Sequence, residues 1–263
     1  MKDVLEFARF KAEGRKISIV TAYDAWSARL VGRSGVDAIL VGDSVAMVMH
    51  GHDTTLAATV ELMAMHTRAV ARADAGKFLI ADMPFLSYRQ GIPAAMTAVG
   101  ALMTSGAQAV KLEGVDGHED VIRQIVGSGV PVMGHIGLTP QSVNGLGGFR
   151  VQGKSGAGAE RLLREARALE ALGCFSIVLE CVPAALAESI TSSVAVPTIG
   201  IGAGAGTDGQ VLVLQDLWGV DTRHTPRFVR RYINAECLLT NALNQYDADV
   251  KEARFPSPEE SYS

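Results

Sequence analysis

A chain of 263 residues that is 48% apolar and 20% charged has the make-up of one large globular domain or two small ones, and its composition excludes a disordered chain. The net charge is −4 and the Lys and Arg residues are scattered, which argues against the basic stripe that nucleic acid or an anionic membrane attracts. The cysteines, Cys174, Cys181 and Cys237, lack Cys-x-x-Cys spacing and argue against a disulfide framework or a thiolate zinc site.

The opening stretch "MKDVLEFARFKAEGRK" carries charges throughout and holds no apolar core of signal-peptide length, and no later segment is long and apolar enough to span a bilayer. The expectation is a soluble cytoplasmic protein without a membrane or nucleic-acid partner. Apolar, β-rich runs then appear at 17–23, 37–44, 77–85, 109–114, 130–137, 175–182, 196–204 and 210–217. Between most of them lie stretches such as "TLAATVELMAMHTRAVARAD" and "GAERLLREARALEALG", where Leu and Ala recur three and four residues apart as on a helix face. Strands apolar at nearly every position are buried on both sides, as in a parallel sheet. Eight such units at this length predict an α/β fold, a (β/α)8 TIM barrel filling residues 1–263 as a single domain with short N-terminal and C-terminal extensions. An open doubly wound sheet is the rival reading.

Barrel enzymes carry their chemistry where strands end. The first run ends in Tyr23-Asp24 and the second in Asp43-Ser44; the third holds Asp82, the fourth Lys111 and Glu113, the fifth His135 and the sixth Glu180. Any one acid there reads as a cap or turn former, but six successive strands would aim ionisable groups at one mouth. Asp43, Asp82 and Glu113 would repel one another unless a cation joined them. Rigid oxygen ligands suit Mg²⁺ better than zinc, with a salt bridge from Lys111 as the simpler alternative. Glu180 sits between "IVL" and "CVP", surroundings that disfavour its charged form and suit a general base; an exposed turn Glu capping the next helix is the competing reading. His50 and His52 flank a glycine in a predicted loop and do not read as a metal pair, and His66 reads as a partly buried helix residue. For His135, at the end of a buried strand, a site role and a core role stay open. Gly204-x-Gly206-x-x-Gly209 formally matches a dinucleotide fingerprint, but β-like sequence follows where that motif needs a helix, so the segment reads as a flexible seventh loop.

The blocks "VGDS", "HGHDTTL", "ADMPF", "VKLEG", "GHIGLTPQSVN", "GGFRVQGK", "VLECVP", "IGIGAG" with "DGQVLV", and "RFPSPEESY" together resemble the ketopantoate hydroxymethyltransferase family from about residue 5 to the C-terminus. The resemblance implies a barrel that binds Mg²⁺ and transfers a one-carbon unit from 5,10-methylenetetrahydrofolate to 3-methyl-2-oxobutanoate. The product would be ketopantoate, for pantothenate and coenzyme A. By matching motif, Asp43, Asp82 and Glu113 are the metal-linked acids, and Glu180 is the proton acceptor. The resemblance also implies that Asp43, Ser44, Asp82, Lys111 and His135 contact the keto acid and that the assembly is a homo-decamer. Three departures, Val45-Ala46 after "VGDS", "TLAAT" without a proline, and Cys174-Phe175 before strand six, leave every proposed chemical group in place. Two rival readings are a related barrel lyase acting on another 2-oxo acid, whose "KKCGH"-like loop does not occur here, and a non-catalytic barrel.

Overall fold

The apolar runs form strands, each shorter than its run because the flanking Asp, Ser and Gly residues belong to the turns. The computed structural model describes residues 1, 3–220 and 225–262. Its strands are β1 (Ile17–Thr21), β2 (Ala38–Val41), β3 (Phe78–Asp82), β4 (Ala109–Glu113), β5 (Val132–Gly137), β6 (Ser176–Glu180), β7 (Thr198–Ile201) and β8 (Gly209–Leu212). They are parallel and close in sequence order, β8 pairing with β1 through Ile17–Gly209 to Val20–Leu212. That seam excludes the open sheet and gives a (β/α)8 barrel. Gly209 begins β8, so the glycine-rich segment runs into a strand and does not open a helix.

Helix α1 (Leu5–Ala12) precedes β1. After successive strands come α2 (Ala25–Gly32), the single turn α3 (Val45–Val48) with α4 (Val60–Ala71), α5 (Ile92–Thr104), α6 (Glu119–Gly127), the turn α7 (Val143–Leu146) with α8 (Gly156–Ala171), and α9 (Ala184–Ser193). Their starts are local chemistry: Asp24, Thr59 and Ser155 accept the Ser27, Leu62 and Gly158 backbone N–H groups, satisfying donors that a helix start leaves free. Asp24, one of the strand-end acids, is therefore a cap.

Side chains alternate between the barrel interior and the helix layer with period two. Phe78 and Ile80 of β3, Ala109 of β4, Met133 of β5 and Val178 of β6 lie in the interior core cluster. Two or four residues further along the same rows stand Asp82, Lys111, Glu113, His135 and Glu180. The rows are apolar at the bottom and ionisable at the top.

The bottom is closed by α1. Phe7 is fully buried, its ring 5.6 Å from that of Phe78 and 5.0 Å from that of Phe175 in edge-on contacts. Lys11 reaches across the seam and donates to the carbonyls of Thr191, Val194 and Val196 at 2.9–3.0 Å, while pairing with Asp208 at 3.0 Å. A cation at the carbonyl end of α9 is where the helix dipole favours one. Phe7→Ala should cost about 3–5 kcal/mol, the usual cost of emptying a buried aromatic site. Urea unfolding should show a lowered midpoint with an unchanged slope; an unchanged midpoint would remove the plug role.

The described residues divide into two compact units, Met1–Val213 with the barrel and Leu214–Ser263. In the second, α10 (Leu214–Trp218) is helical where the eighth apolar run extends to 217. The β-rich part of that run stops at Val213, and "LQDLW" has no β-branched residue to hold it extended. Helix α11 (Ala235–Lys251) exposes Leu239, Leu243, Tyr246 and Val250, at helical spacing along one face. Among the described residues no helix is long and apolar enough to cross a membrane.

Candidate active site

Parallel register sets the heights of the ionisable groups. Asp82 pairs across with Lys111, Glu113 with His135, and Gly137 with Glu180. The result is a line of charged and polar groups around the mouth. Lys111 Nζ lies 3.1 Å from Asp82 Oδ1 and 3.2 Å from His135 Nδ1, and His135 Nε2 lies 3.2 Å from Glu180 Oε2. An ammonium can only donate, so His135 accepts through Nδ1 and carries its proton on Nε2, beside the Glu180 carboxyl. That last contact is close without hydrogen-bond alignment. Burial, then the Lys111 charge, hold the His135 imidazole well below its usual range, so it is neutral.

Asp43 follows β2 and is bound to the third strand end, its backbone N–H donating to Asp82 Oδ2 at 3.0 Å. Gly42 allows this approach, because a Cβ there would stand 2.7 Å from Ser44 Oγ and 3.7 Å from Asp82 Oδ2. Ser44 is held by the buried Tyr23 hydroxyl at 2.8 Å. Glu113 Oε1 is 3.6 Å from His135 Nδ1. At Glu180, the chain turns sharply: Cys181 adopts a left-handed conformation (φ 48°) and Gly137 (φ 96°) lies so near that a Cβ would come 2.3 Å from the Glu180 carbonyl oxygen. Strain of about 1–3 kcal/mol at such a non-glycine residue is tolerated where its surroundings fix it. Here Cys181 N–H donates to the Ile201 carbonyl and its own carbonyl accepts from Gln152 N–H, both at 2.9 Å.

The structure therefore brings Asp43, Ser44, Asp82, Lys111, Glu113, His135 and Glu180 to one end of the barrel. Sequence reasoning placed Tyr23 at a strand end without giving it a role, and passed over Tyr88 and Gln141. Gln141, in the turn Pro140–Ser142 after β5, donates from Nε2 to Asp43 Oδ2 at 2.8 Å and to the Met83 carbonyl at 3.0 Å. Its backbone N–H donates to Glu113 Oε2 at 3.0 Å, and the Tyr88 hydroxyl lies 2.9 Å from its Oε1. The only signal was its place in a strand-end loop. Nor did spacing reveal that His50 pairs with His66, Nε2 to Nε2 at 2.9 Å, His66 in turn bonding the Tyr23 carbonyl through Nδ1 at 2.5 Å.

Among the described residues no three His, Cys, Asp or Glu side chains are grouped to hold a metal ion directly. Asp43, Asp82 and Glu113 stand at one barrel end, with the Gln141 amide on Asp43 Oδ2 and the Lys111 ammonium 3.1 Å from Asp82 Oδ1. The donors nonetheless fit a hydrated, oxygen-loving cation. Glu113 Oε1 is buried without a hydrogen-bond partner and Asp82 Oδ1 has only the Lys111 ammonium beside it, and Mg²⁺ usually keeps several waters while using one or two carboxylates. Electrostatics point the same way. Burial raises Asp82 to about 7 and Glu113 well above the carboxylate range, and it raises Asp43 too, against the Lys111 ammonium that opposes all three shifts. Burial alone would lower Lys111, but Asp82, Glu113 and Asp43 hold it above its ordinary value. One ammonium cannot keep three buried acids ionised; further positive charge would.

A family model for ketopantoate hydroxymethyltransferase matches residues 2–258. The chain belongs to the ketopantoate hydroxymethyltransferase family. It is thus an enzyme of the transferase class. Curated relatives named 3-methyl-2-oxobutanoate hydroxymethyltransferase include one from Coxiella burnetii, 54% identical over 95% of each chain, and one from Bdellovibrio bacteriovorus, 53% identical over the full length of both. Another, from Francisella tularensis subsp. novicida, is 50% identical over 100% of this chain and 99% of the relative. Among solved structures, a phosphonopyruvate hydrolase in complex with oxalate and Mg²⁺ aligns with a TM-score of 0.63 at 14% identity, covering 99% of this chain and 93% of that one. An oxaloacetate acetylhydrolase aligns with the same score and identity, covering 99% and 90%. At that identity the likeness establishes the barrel fold alone.

Proposed function

We propose that this chain transfers a hydroxymethyl unit from 5,10-methylenetetrahydrofolate to 3-methyl-2-oxobutanoate, forming ketopantoate on the route to pantothenate and coenzyme A in the cytoplasm. The observation that carries the chemistry is the placement of Glu180, a carboxyl raised to about 7 by burial and partly restrained by Lys111, beside the neutral imidazole of His135. A base poised near neutrality can take a weakly acidic C–H proton and survive as a carboxylate long enough to act.

When bound, Mg²⁺ supplies a Lewis acid for the carboxylate and keto oxygens of the 2-oxo acid. Asp43 and Asp82 would hold it, with Glu113 reaching it directly or through water. Lys111 places a positive charge beside the substrate oxygens, and Ser44, oriented by Tyr23, contacts the keto acid. Glu180 accepts the C3 proton, and the C–H electron pair moves toward C2, where the oxygen takes up negative charge. Water adds to the methylene carbon of the donor, and its C–N bond breaks to release tetrahydrofolate and the one-carbon unit as an aldehyde. The nucleophilic C3 attacks that aldehyde carbon, and the aldehyde oxygen, which came from water, takes back the proton from Glu180 and becomes the new hydroxyl. The homo-decamer belongs to the same proposal; the apolar residues that α11 exposes, Leu239, Leu243 and Val250, support self-association through this helix.

The test is direct. Protein, 3-methyl-2-oxobutanoate, methylenetetrahydrofolate and Mg²⁺ should yield ketopantoate by mass spectrometry; a chelator should stop turnover and added Mg²⁺ restore it. Cleavage of the keto acid without use of the folate would replace this reading with a lyase.

A further inference from the structure

We infer that Gln141 is a positioning residue that holds the carboxylates of Asp43 and Glu113 in fixed orientation for a divalent cation. The inference rests on the cation site proposed above. Gln141 is 5% exposed, and every hydrogen-bonding group of its side chain is used. Its two amide hydrogens go to Asp43 Oδ2 and the Met83 carbonyl, and its Oε1 faces the Tyr88 hydroxyl. The amide cannot be reversed, because its oxygen would then confront two acceptors. Tyr88 is itself fixed: its hydroxyl accepts the Glu113 backbone N–H at 3.2 Å, and its one proton is free for Gln141 Oε1 because the Glu113 carbonyl already receives Arg89 Nη2 at 3.1 Å.

One residue thus donates to an oxygen of each acid, by side chain to Asp43 and by main chain to Glu113. Glu113 Oε1 is left buried without a partner. The neutrality of the amide matters. A Lys or Arg in its place would neutralise the acids and compete with the cation, whereas a Glu would repel both. Gln141 restrains both carboxylates while leaving their charge available, and Tyr88 keeps the amide facing the right way. Supporting residues of this kind set ligand orientation in metal sites.

Mn²⁺ is the probe, titrated by calorimetry and paramagnetic resonance in the presence of 3-methyl-2-oxobutanoate. Gln141→Met keeps the length and the backbone donor but removes the amide. Its Mn²⁺ affinity should fall about 10–100-fold, with an altered resonance line shape and an unchanged circular dichroism spectrum. Tyr88→Phe, which frees the amide without removing it, should shift affinity in the same direction by about 3–10-fold, a smaller loss of the same kind. It decides the matter if Gln141→Met does not fold. Wild-type Mn²⁺ affinity in the folded variants overturns the role of Gln141 and leaves the cation site standing. Absence of Mn²⁺ binding by the unaltered protein overturns the site itself and this inference with it.

Discussion

Glu180→Gln should slow exchange of the C3 hydrogen of 3-methyl-2-oxobutanoate with deuterated water by roughly 10²–10⁴-fold, the usual worth of a positioned general base. Enolisation needs the keto acid, the cation and the base, so the measurement omits the folate and isolates one bond-breaking step. Gln keeps the side-chain size and can still meet His135 Nε2, 3.2 Å from Glu180 Oε2, but cannot take up the proton as a carboxylate does. Mg²⁺ and keto-acid binding should persist. The sign of the pH dependence follows from burial, which lifts the Glu180 carboxyl to about 7. The base works only when ionised, so the unaltered protein should lose exchange about tenfold per pH unit below that value and level off above it. Glu180→Gln should lose this slope. Proton exchange followed by NMR at several pH values reads both effects. Wild-type exchange in the variant would hand the base role to another group, with His135 next in line, and loss of metal binding would move Glu180 into the ligand set.

Asp82→Asn should weaken Mg²⁺ binding in the presence of keto acid by roughly 100-fold or more, at or beyond the upper end of what loss of a supporting residue costs. The substitution keeps an oxygen to receive the Asp43 N–H, now made to Asp82 Oδ2 at 3.0 Å, and removes the charge. It also takes from Lys111 the carboxylate 3.1 Å away. Breaking a buried pair on one side costs about 3–5 kcal/mol because a charge is left behind, so stability should fall alongside affinity. Calorimetric titration with Mg²⁺ and keto acid, paired with urea unfolding, separates the two losses. Unchanged metal binding in a folded Asp82→Asn protein would remove Asp82 from the proposed site.

The barrel was legible because strands buried on both faces, such as Phe78–Asp82 and Val132–Gly137, leave near-continuous apolar runs in sequence, set apart by stretches with helical spacing. The strand-end acids were legible for the same reason, since a carboxylate closing an apolar run has no business in a core. What could not be read was pairing across the chain. Gln141 meets Asp43 from 98 positions away, and "LTPQSV" looks like any turn. His50 and His66 sit 16 positions apart on different elements, so attention to the nearer His52 missed the contact. Residues 214–217 look like the end of a strand in the sequence because an apolar run carries no period once it is short, yet they begin α10. The spacing of the three carboxylates was likewise out of reach: sequence places acids on neighbouring strands, but the loops decide what lies between them.

The helix that seals the base of the barrel also constrains how the polypeptide is made. Translation delivers Phe7 and Lys11 early, yet Phe175, Thr191 and Asp208, which they contact, leave the ribosome more than a hundred residues later. The strand that closes the seam against Ile17 ends only at Leu212. A helix that buries Phe7 and Phe10 must wait, uncovered, until its docking site has been made. Such long-range closure makes folding slow relative to local structure and leaves the nascent chain open to mispairing. A ribosome-bound fragment ending before β8 therefore carries the whole row of strand-end groups from Asp43 to Glu180 and still lacks the contacts that would let it stand as a barrel.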